Sequence, residues 1–246
     1  MTTALWIYLG LTVATILFTT FIAAPYGRHE REGWGPTIPA KVGWVGMELP
    51  SVVMAVVGFV LGANAGATVP QILLGVWLLH YLQRTFVFPF LMRGTGKRMP
   101  LILAAVAFAY TGFNAWINLD HVSNVGHYPT AWLTDPRFLG GMALFLAGYV
   151  INLRSDHILR TLRKPGESGY KIPQGFLFKY VSSPNYLGEM MEWFGWALMT
   201  WSLPGLFFAL YTIANLGPRA LTNHRWYQDT FDDYPPERKA LIPGIL

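Results

Sequence analysis

Long apolar runs alternate with short basic loops along this chain. Residues 5–24 form a stretch of twenty without a charge, enough to cross a bilayer as a helix. Similar runs cover 43–62, 70–91, 100–118, 138–154, 187–201 and 203–221. The last two are joined so tightly around Ser202 and Pro204 that they predict a helical hairpin. The pattern therefore predicts an all-α integral membrane protein with seven transmembrane helices. A cleaved leader is the rival reading of the first run. No basic residue precedes that run and it is too long, which argues against a leader. No internal repeat, low-complexity tract or soluble domain is visible. The long polar segments are 154–184 and the tail after Leu221.

The basic residues give an orientation. Seven spans put alternate loops on opposite sides. One side receives Arg28, Arg31, Lys41, Arg93, Lys97, Arg98, the basic residues from Arg154 through Lys179, and Arg219, Arg225, Arg238 and Lys239. The other side receives Arg137 alone, and Arg84 lies within a span. By the positive-inside rule the N-terminus is outside, and the C-terminus and the 154–184 loop are cytosolic. Composition agrees: 53% of residues are hydrophobic and only 13% charged, against about 25% charged in soluble domains. The net charge of +5 reads as membrane-flanking charge rather than a nucleic-acid surface. Ten Trp suit interfacial belts and large apolar pockets. With no Cys, disulfides, thiolate metal sites and cysteine nucleophiles are excluded.

The stretch 169–196, GYKIPQGFLFKYVSSPNYLGEMMEWFGW, stands out against this background. It starts as a basic loop and ends as an apolar helix that carries two carboxylates. Asn185, Glu189, Glu192 and Trp196 follow one another at spacings of four, three and four, so a helix puts them on one face. Such a face describes the wall of a polar cavity within a membrane.

Other polar residues fall in or beside the apolar runs. Glu48 either lines a cavity or marks the membrane interface just before Leu49 and Pro50. His80, Tyr81 and Arg84 share one side of the third run. Arg84 needs a carboxylate or phosphate partner there. His80 reads first as a packing histidine, and Tyr81 as either a hydrogen-bond donor or an interfacial anchor. Asn152, Asp156, Arg160 and Arg163 repeat at four, four and three. A carboxylate and amide followed by guanidiniums suit a ligand with ribose hydroxyls and phosphates, and equally an ordinary cytosolic flank. No GxGxxG, P-loop or GxSxG motif is present. The six His form no HxxxH, HxxHH or HExxH pattern, so no metal site is expected.

From Asn152 onward the chain resembles the membrane steroid 5α-reductases and their bacterial relatives. The residues that carry the resemblance are INLRSDHILRTLRKPGESGYKIPQG, NYLGEMMEW, TWSLP, LGPRA, HRWY and DYPPERKALIP. In the first half it reappears as ELP at Glu48 and as HYLQRTFVFPFLMRG from His80 to Gly94. The resemblance implies NADPH-dependent reduction of the Δ4 double bond of a 3-keto steroid, with hydride to C5, a proton to C4 and a 5α product. By motif match, Glu48 and Tyr81 hold the 3-keto oxygen. The matching cofactor residues are Asn152, Asp156, Arg163, Tyr170, Asn185, Glu189, His224 and Tyr227, with Arg84, Arg93 and Arg219 added. Trp44, Met47 and Trp193 are the substrate-side candidates. Met47 stands where steroid-reducing animal members often have Gln.

Residues 1–137 are then the substrate-side helices of a single membrane domain, and 138–246 the cofactor side. The expected partners are a steroid or other enone lipid and the bilayer, with no nucleic acid and no protein partner implied. The expected location is a bacterial inner membrane, or the endoplasmic reticulum in a eukaryote. Three rival functions share part of the pattern. They are another enoyl or sterol-ring reductase, an S-adenosylmethionine-dependent membrane methyltransferase, and a non-catalytic sterol-binding protein.

Overall fold

The structure, a computed structural model, describes residues 2–22, 29, 32–92, 96–164, 167 and 169–246. Arg28, Arg31, Arg93 and the Pro165-Gly166 turn lie outside the described residues. Helix α1 is Thr2–Phe21, α2 Ala40–Leu61, α3 Thr68–Leu82, α5 Leu101–Asp120, α6 Pro136–Thr161, α7 Pro184–Thr200 and α8 Leu203–Thr230. Between α3 and α5 a wide π-type turn, Gln83–Val87, leads into the one-turn helix α4, Phe88–Leu91. Each predicted apolar run is helical over its described residues, apart from single end residues. The sequence pattern missed a small antiparallel ribbon, β1 (Thr37–Pro39) with β2 (Arg98–Pro100). It ties together the two polar segments that precede α2 and α5.

Among the described residues, four helical stretches are long and apolar enough to cross a membrane: Thr2–Phe21, Ala40–Leu61, Leu101–Val125 and Pro136–Thr161. The other three predicted runs differ for physical reasons. α3 has 15 residues before the wide turn, and α7 has 17 residues with two Glu among them. α8 is long, but Asn215, Pro218 and Arg219 interrupt its apolar part.

Helix ends follow the sequence. Asp135 caps α6 by accepting from Arg137 N at 2.8 Å, and Pro136 occupies the first turn, where no amide donor is needed. The Arg137 side chain also bonds the Asp135 carboxyl and holds it down at about 2. The α7–α8 hairpin turns at Trp201, whose φ of 42° is left-handed, and Ser202 caps α8 through Gly205 N at 3.1 Å. Pro50 breaks the ladder inside α2, and Thr111 on α5 donates its hydroxyl to the nearby Met47 carbonyl.

α1 packs on α8, and α2 on α5. α6 and α7 make the closest pair, because their contact line is glycine. A Cβ on Gly188 would lie 2.6 Å from Asn152 N and from Gly148 O, and one on Gly195 would lie 2.5 Å from Gly141 O. Small residues let backbones approach where lipid offers no hydrophobic drive between helices. The centre of the molecule is an aromatic layer of Trp77, Trp193, Trp196, Phe145 and Phe208. The tail folds back over the 169–183 loop. Ser182 N donates to Lys239 O at 2.8 Å, and Arg238 reaches Pro173 O and Gln174 Oε1, each at 2.9 Å.

Candidate active site

The polar face predicted on α7 exists, and each of its members has a partner on another element. Asn185 Nδ2 donates to Asp156 Oδ1 of α6 at 3.1 Å. Glu189 Oε2 lies 3.9 Å from Arg84 Nη2. Glu192 Oε2 and His80 Nδ1 share a hydrogen bond of 2.7 Å. Trp196 Nε1 donates to Asn118 Oδ1 of α5 at 2.9 Å. The close α6–α7 approach adds Asn152, whose Nδ2 donates to Asn185 O at 3.0 Å.

Arg84 is the hub of the deeper group. It sits in the wide turn that follows α3, a backbone form that recurs at functional sites. Its Nη1 is 3.3 Å from Asp156 Oδ2. Phe88 and Trp44 cover the guanidinium at 4.5 and 5.2 Å from their ring centres. A buried cation needs such partners, since its desolvation costs several kcal/mol otherwise. Arg84, Asn152, Asp156, Asn185 and Glu189 are thus assembled from three separate parts of the chain.

Tyr81 lies one turn before Arg84, near the end of α3. It is buried between Trp77 and Trp193, with ring centroids at 4.8 and 5.6 Å. Glu48 lies on α2 one turn after Trp44, which covers Arg84, and one turn before Ser51, whose carbonyl accepts from Trp77 Nε1 of α3 at 3.2 Å. Ser51, one turn on from Glu48, places its hydroxyl beside Tyr81 without a hydrogen bond of normal geometry. Of the substrate-side candidates, Trp193 is part of the aromatic layer and Trp44 stacks near Arg84. Met47 is half-buried, and its carbonyl accepts from Thr111.

The remaining predicted cofactor residues form a second, shallower group. Arg163 does not continue the Asn152–Asp156–Arg160 face, because α6 ends at Thr161. Its Nη1 instead donates to Gly169 O at 3.0 Å, and it lies over the Tyr170 ring. Arg160 pairs with its neighbour His157. Arg219 Nε donates to Tyr186 OH at 2.8 Å, next to Asn185. His224 Nδ1 is 2.6 Å from Ser182 Oγ, and burial pushes its imidazole below the usual value, with Lys239 adding to the effect. Tyr227 stacks on Tyr234 of the tail at 5.3 Å. Tyr170 reaches the same helix through Trp226 at 4.9 Å. Arg93 lies outside the described residues.

A family model described as 3-oxo-5-alpha-steroid 4-dehydrogenase matches residues 97–246. 3-oxo-5-alpha-steroid 4-dehydrogenase 1 of Rattus norvegicus is 47% identical over 227 residues, which is 92% of this chain and 87% of the relative. The Homo sapiens protein of the same name is 45% identical over 223 residues, covering 90% and 86%. Steroid 5-alpha-reductase DET2 of Gossypium hirsutum is 42% identical over 243 residues, covering 96% and 93%. The chain belongs to the 3-oxo-5-alpha-steroid 4-dehydrogenase family.

Within that family frame, two features of this chain escaped the sequence. His80, read first as a packing histidine, is bonded to Glu192, and both are essentially buried at 3% and 0% exposure. Glu192 stood on the predicted polar face but was given no role. A second network joins Tyr8, Tyr110, Asn114 and Asn118 across α1 and α5. The signal for it was a Tyr in the first apolar run and two Asn one turn apart in the fourth.

Proposed function

We propose that this chain is a multi-pass membrane enzyme that uses NADPH to saturate the Δ4 double bond of a 3-oxo steroid, giving a 5α product. The family supports the reaction class and a nicotinamide cofactor. The observation that supports the catalytic assignment is the placement of two donor-capable groups beside the Arg84–Asp156–Glu189 group: Tyr81 packs on Trp77 of α3, and Glu48 lies on α2 between Trp44, which covers Arg84, and Ser51, which Trp77 bonds.

The donor set fits a phosphorylated dinucleotide. Asn152, Asp156, Asn185 and Glu189 offer the amides and carboxylates that a carboxamide and ribose hydroxyls require. Arg84, Arg163 and Arg219, with Arg93, supply guanidiniums for phosphates, including the 2′-phosphate that separates NADPH from NADH. Tyr170, His224 and Tyr227 close the shallow end of that site. When bound there, NADPH supplies the hydride for C5.

The chain's own residues act on the other end of the enone. As C5 gains a hydride, negative charge grows on the C3 oxygen before C4 takes a proton. The Tyr81 hydroxyl donates to that oxygen, and Glu48 does so in its protonated form. Two donors aimed at a charge that develops only in the transition state accelerate reaction more than they tighten binding. Trp44, Met47 and Trp193 face the steroid, and the aromatic layer keeps water from the reacting atoms.

The spans are then α1, α2, α3 with its extension, α5, α6, α7 and α8, with the N-terminus outside and the tail cytosolic. Residues 1–137 form the substrate side and 138–246 the cofactor side. α7 tolerates its carboxylates because they face the interior of the bundle. A thermal-shift series with NADPH, NADH and S-adenosylmethionine, followed by a steroid panel read by product mass and stereochemistry, tests the reading. Stabilisation by NADPH and a 5α product two hydrogens heavier are expected. Stabilisation by S-adenosylmethionine alone would overturn it.

A further inference from the structure

The His80–Glu192 pair is used by none of the steps above. α3 lays its backbone against α2. It meets α7 through long side chains: Trp77 on Trp193 and Trp196 at 5.4 and 5.0 Å, and His80 on Glu192. Tyr81 follows His80 on α3, while Glu189 precedes Glu192 by one turn on α7. The pair therefore spans the gap between the helix that carries the proposed ketone anchor and the helix that carries the proposed cofactor face.

Its position is also expensive. The imidazole packs edge-on against Tyr81 and Trp193, at 5.0 and 4.6 Å. Glu192 Oε1 has no hydrogen-bond partner among the described residues. An apolar pair of similar volume commonly serves stability as well as a buried ion pair does, or better. What an apolar contact does not supply is direction. Aromatic faces slide over one another at small cost, whereas a 2.7 Å hydrogen bond fixes a distance and an angle.

We propose that His80 and Glu192 are positioning residues, a hydrogen-bonded strut that sets the spacing between α3 and α7 and so holds the ketone anchor Tyr81 at reacting distance from the cofactor face of α7. The strut touches neither substrate nor cofactor. It rests on the proposed reductase reading. Because misplacement by about 1 Å can cost roughly 10²-fold in rate, the strut acts on turnover while leaving each ligand's own contacts in place.

The test compares Glu192→Gln, Glu192→Asp, Glu192→Leu and His80→Asn in purified protein. NADPH and steroid affinities are measured by titration, and kcat and the primary isotope effect with deuterated NADPH are measured alongside. Glu192→Gln keeps the length and a hydrogen bond, and His80→Asn keeps a donor near the Nδ1 position. Both should hold kcat within about 3-fold of wild type, since spacing and bond survive. Glu192→Asp keeps the carboxyl group but shortens the strut by one methylene. It should lower kcat by about 10-fold or more and change the isotope effect, with both affinities within about 3-fold. Glu192→Leu should do at least as much harm.

The reverse order, Asp active and Gln inactive, would show that the carboxyl group rather than spacing matters and would overturn the strut. Wild-type kcat in Glu192→Leu would overturn it as well. The Asp–Gln comparison decides the question even if the Leu variant does not fold. Failure of the wild-type protein to bind NADPH or reduce any 3-oxo-Δ4 steroid would remove the reductase reading itself, and the strut with it, before any variant is compared.

Discussion

Arg84 and Asp156 meet at 3.3 Å although one follows α3 and the other lies near the end of α6, 72 positions later. Glu189 of α7 completes the set at 3.9 Å. Three helical segments are held by one guanidinium. Removing that cation leaves two carboxylates without their counter-charge, which commonly costs about 3–5 kcal/mol in a buried setting. Arg84→Met should therefore lower the thermal midpoint and abolish measurable NADPH binding together. Asp156→Asn, which keeps a hydrogen-bonding group, should be milder in both. Differential scanning fluorimetry with and without NADPH reads the two effects at once.

Gly188 separates packing from chemistry. A Cβ there would lie 2.6 Å from two backbone atoms of α6, Asn152 N and Gly148 O. Neither can move like a flexible side chain, so α6 and α7 must part. Overpacking of this kind costs typically about 1–3 kcal/mol. Gly188→Ala should destabilise the protein and weaken NADPH binding, because Asn152 and Asn185 are aligned by that approach. Gly140→Ala, on the partner helix α6 with open space around its Cβ, should do neither.

Cofactor choice should follow the shallow guanidiniums. Arg163 is the leading candidate for a phosphate contact. Losing one charge-assisted bond to the 2′-phosphate should raise the NADPH dissociation constant about tenfold, which is about 1.4 kcal/mol. Arg163→Gln should then lose NADPH affinity while NADH affinity, weaker from the start, stays put. Equal weakening of both would move Arg163 to a phosphate that the two cofactors share.

The sequence made the helices and the α7 face legible for one reason. Apolar periodicity and isolated polar residues both survive in a one-dimensional pattern, so Asn185, Glu189, Glu192 and Trp196 could be placed together before any contact was known. Their partners could not be read in the same way. Asp156 lies 29 residues from Asn185, and His80 lies 112 from Glu192. Spacing along the chain is silent about such distances. Spacings of four, four and three put Arg163 on the face of Asn152, Asp156 and Arg160 only if the helix continues, whereas α6 stops at Thr161. The ribbon of Thr37–Pro39 with Arg98–Pro100 was missed because three-residue strands containing Pro leave almost no alternating pattern.

Orientation is testable because the chain lacks Cys. Single cysteines at Lys171, Asp229 and Thr130 should divide cleanly with an impermeant maleimide on intact cells or sealed vesicles. The first two should be protected from the outer side, and the third labelled. Labelling of position 171 from outside would reverse the topology and the assignment of the cofactor site to the cytosol.

The central claim is that Tyr81 and Glu48 act together on the C3 oxygen of a 3-oxo-Δ4 steroid, and the steady-state kinetics of Tyr81→Phe test it most directly. The substitution deletes one hydroxyl and leaves the ring stacked between Trp77 and Trp193. Removing one such donor commonly lowers kcat by roughly 10²–10³, or about 3–4 kcal/mol. The account predicts that loss with substrate affinity close to wild type, and a Glu48→Ala, Tyr81→Phe double variant less impaired than the product of the two single losses. Wild-type turnover of the steroid by Tyr81→Phe would contradict it.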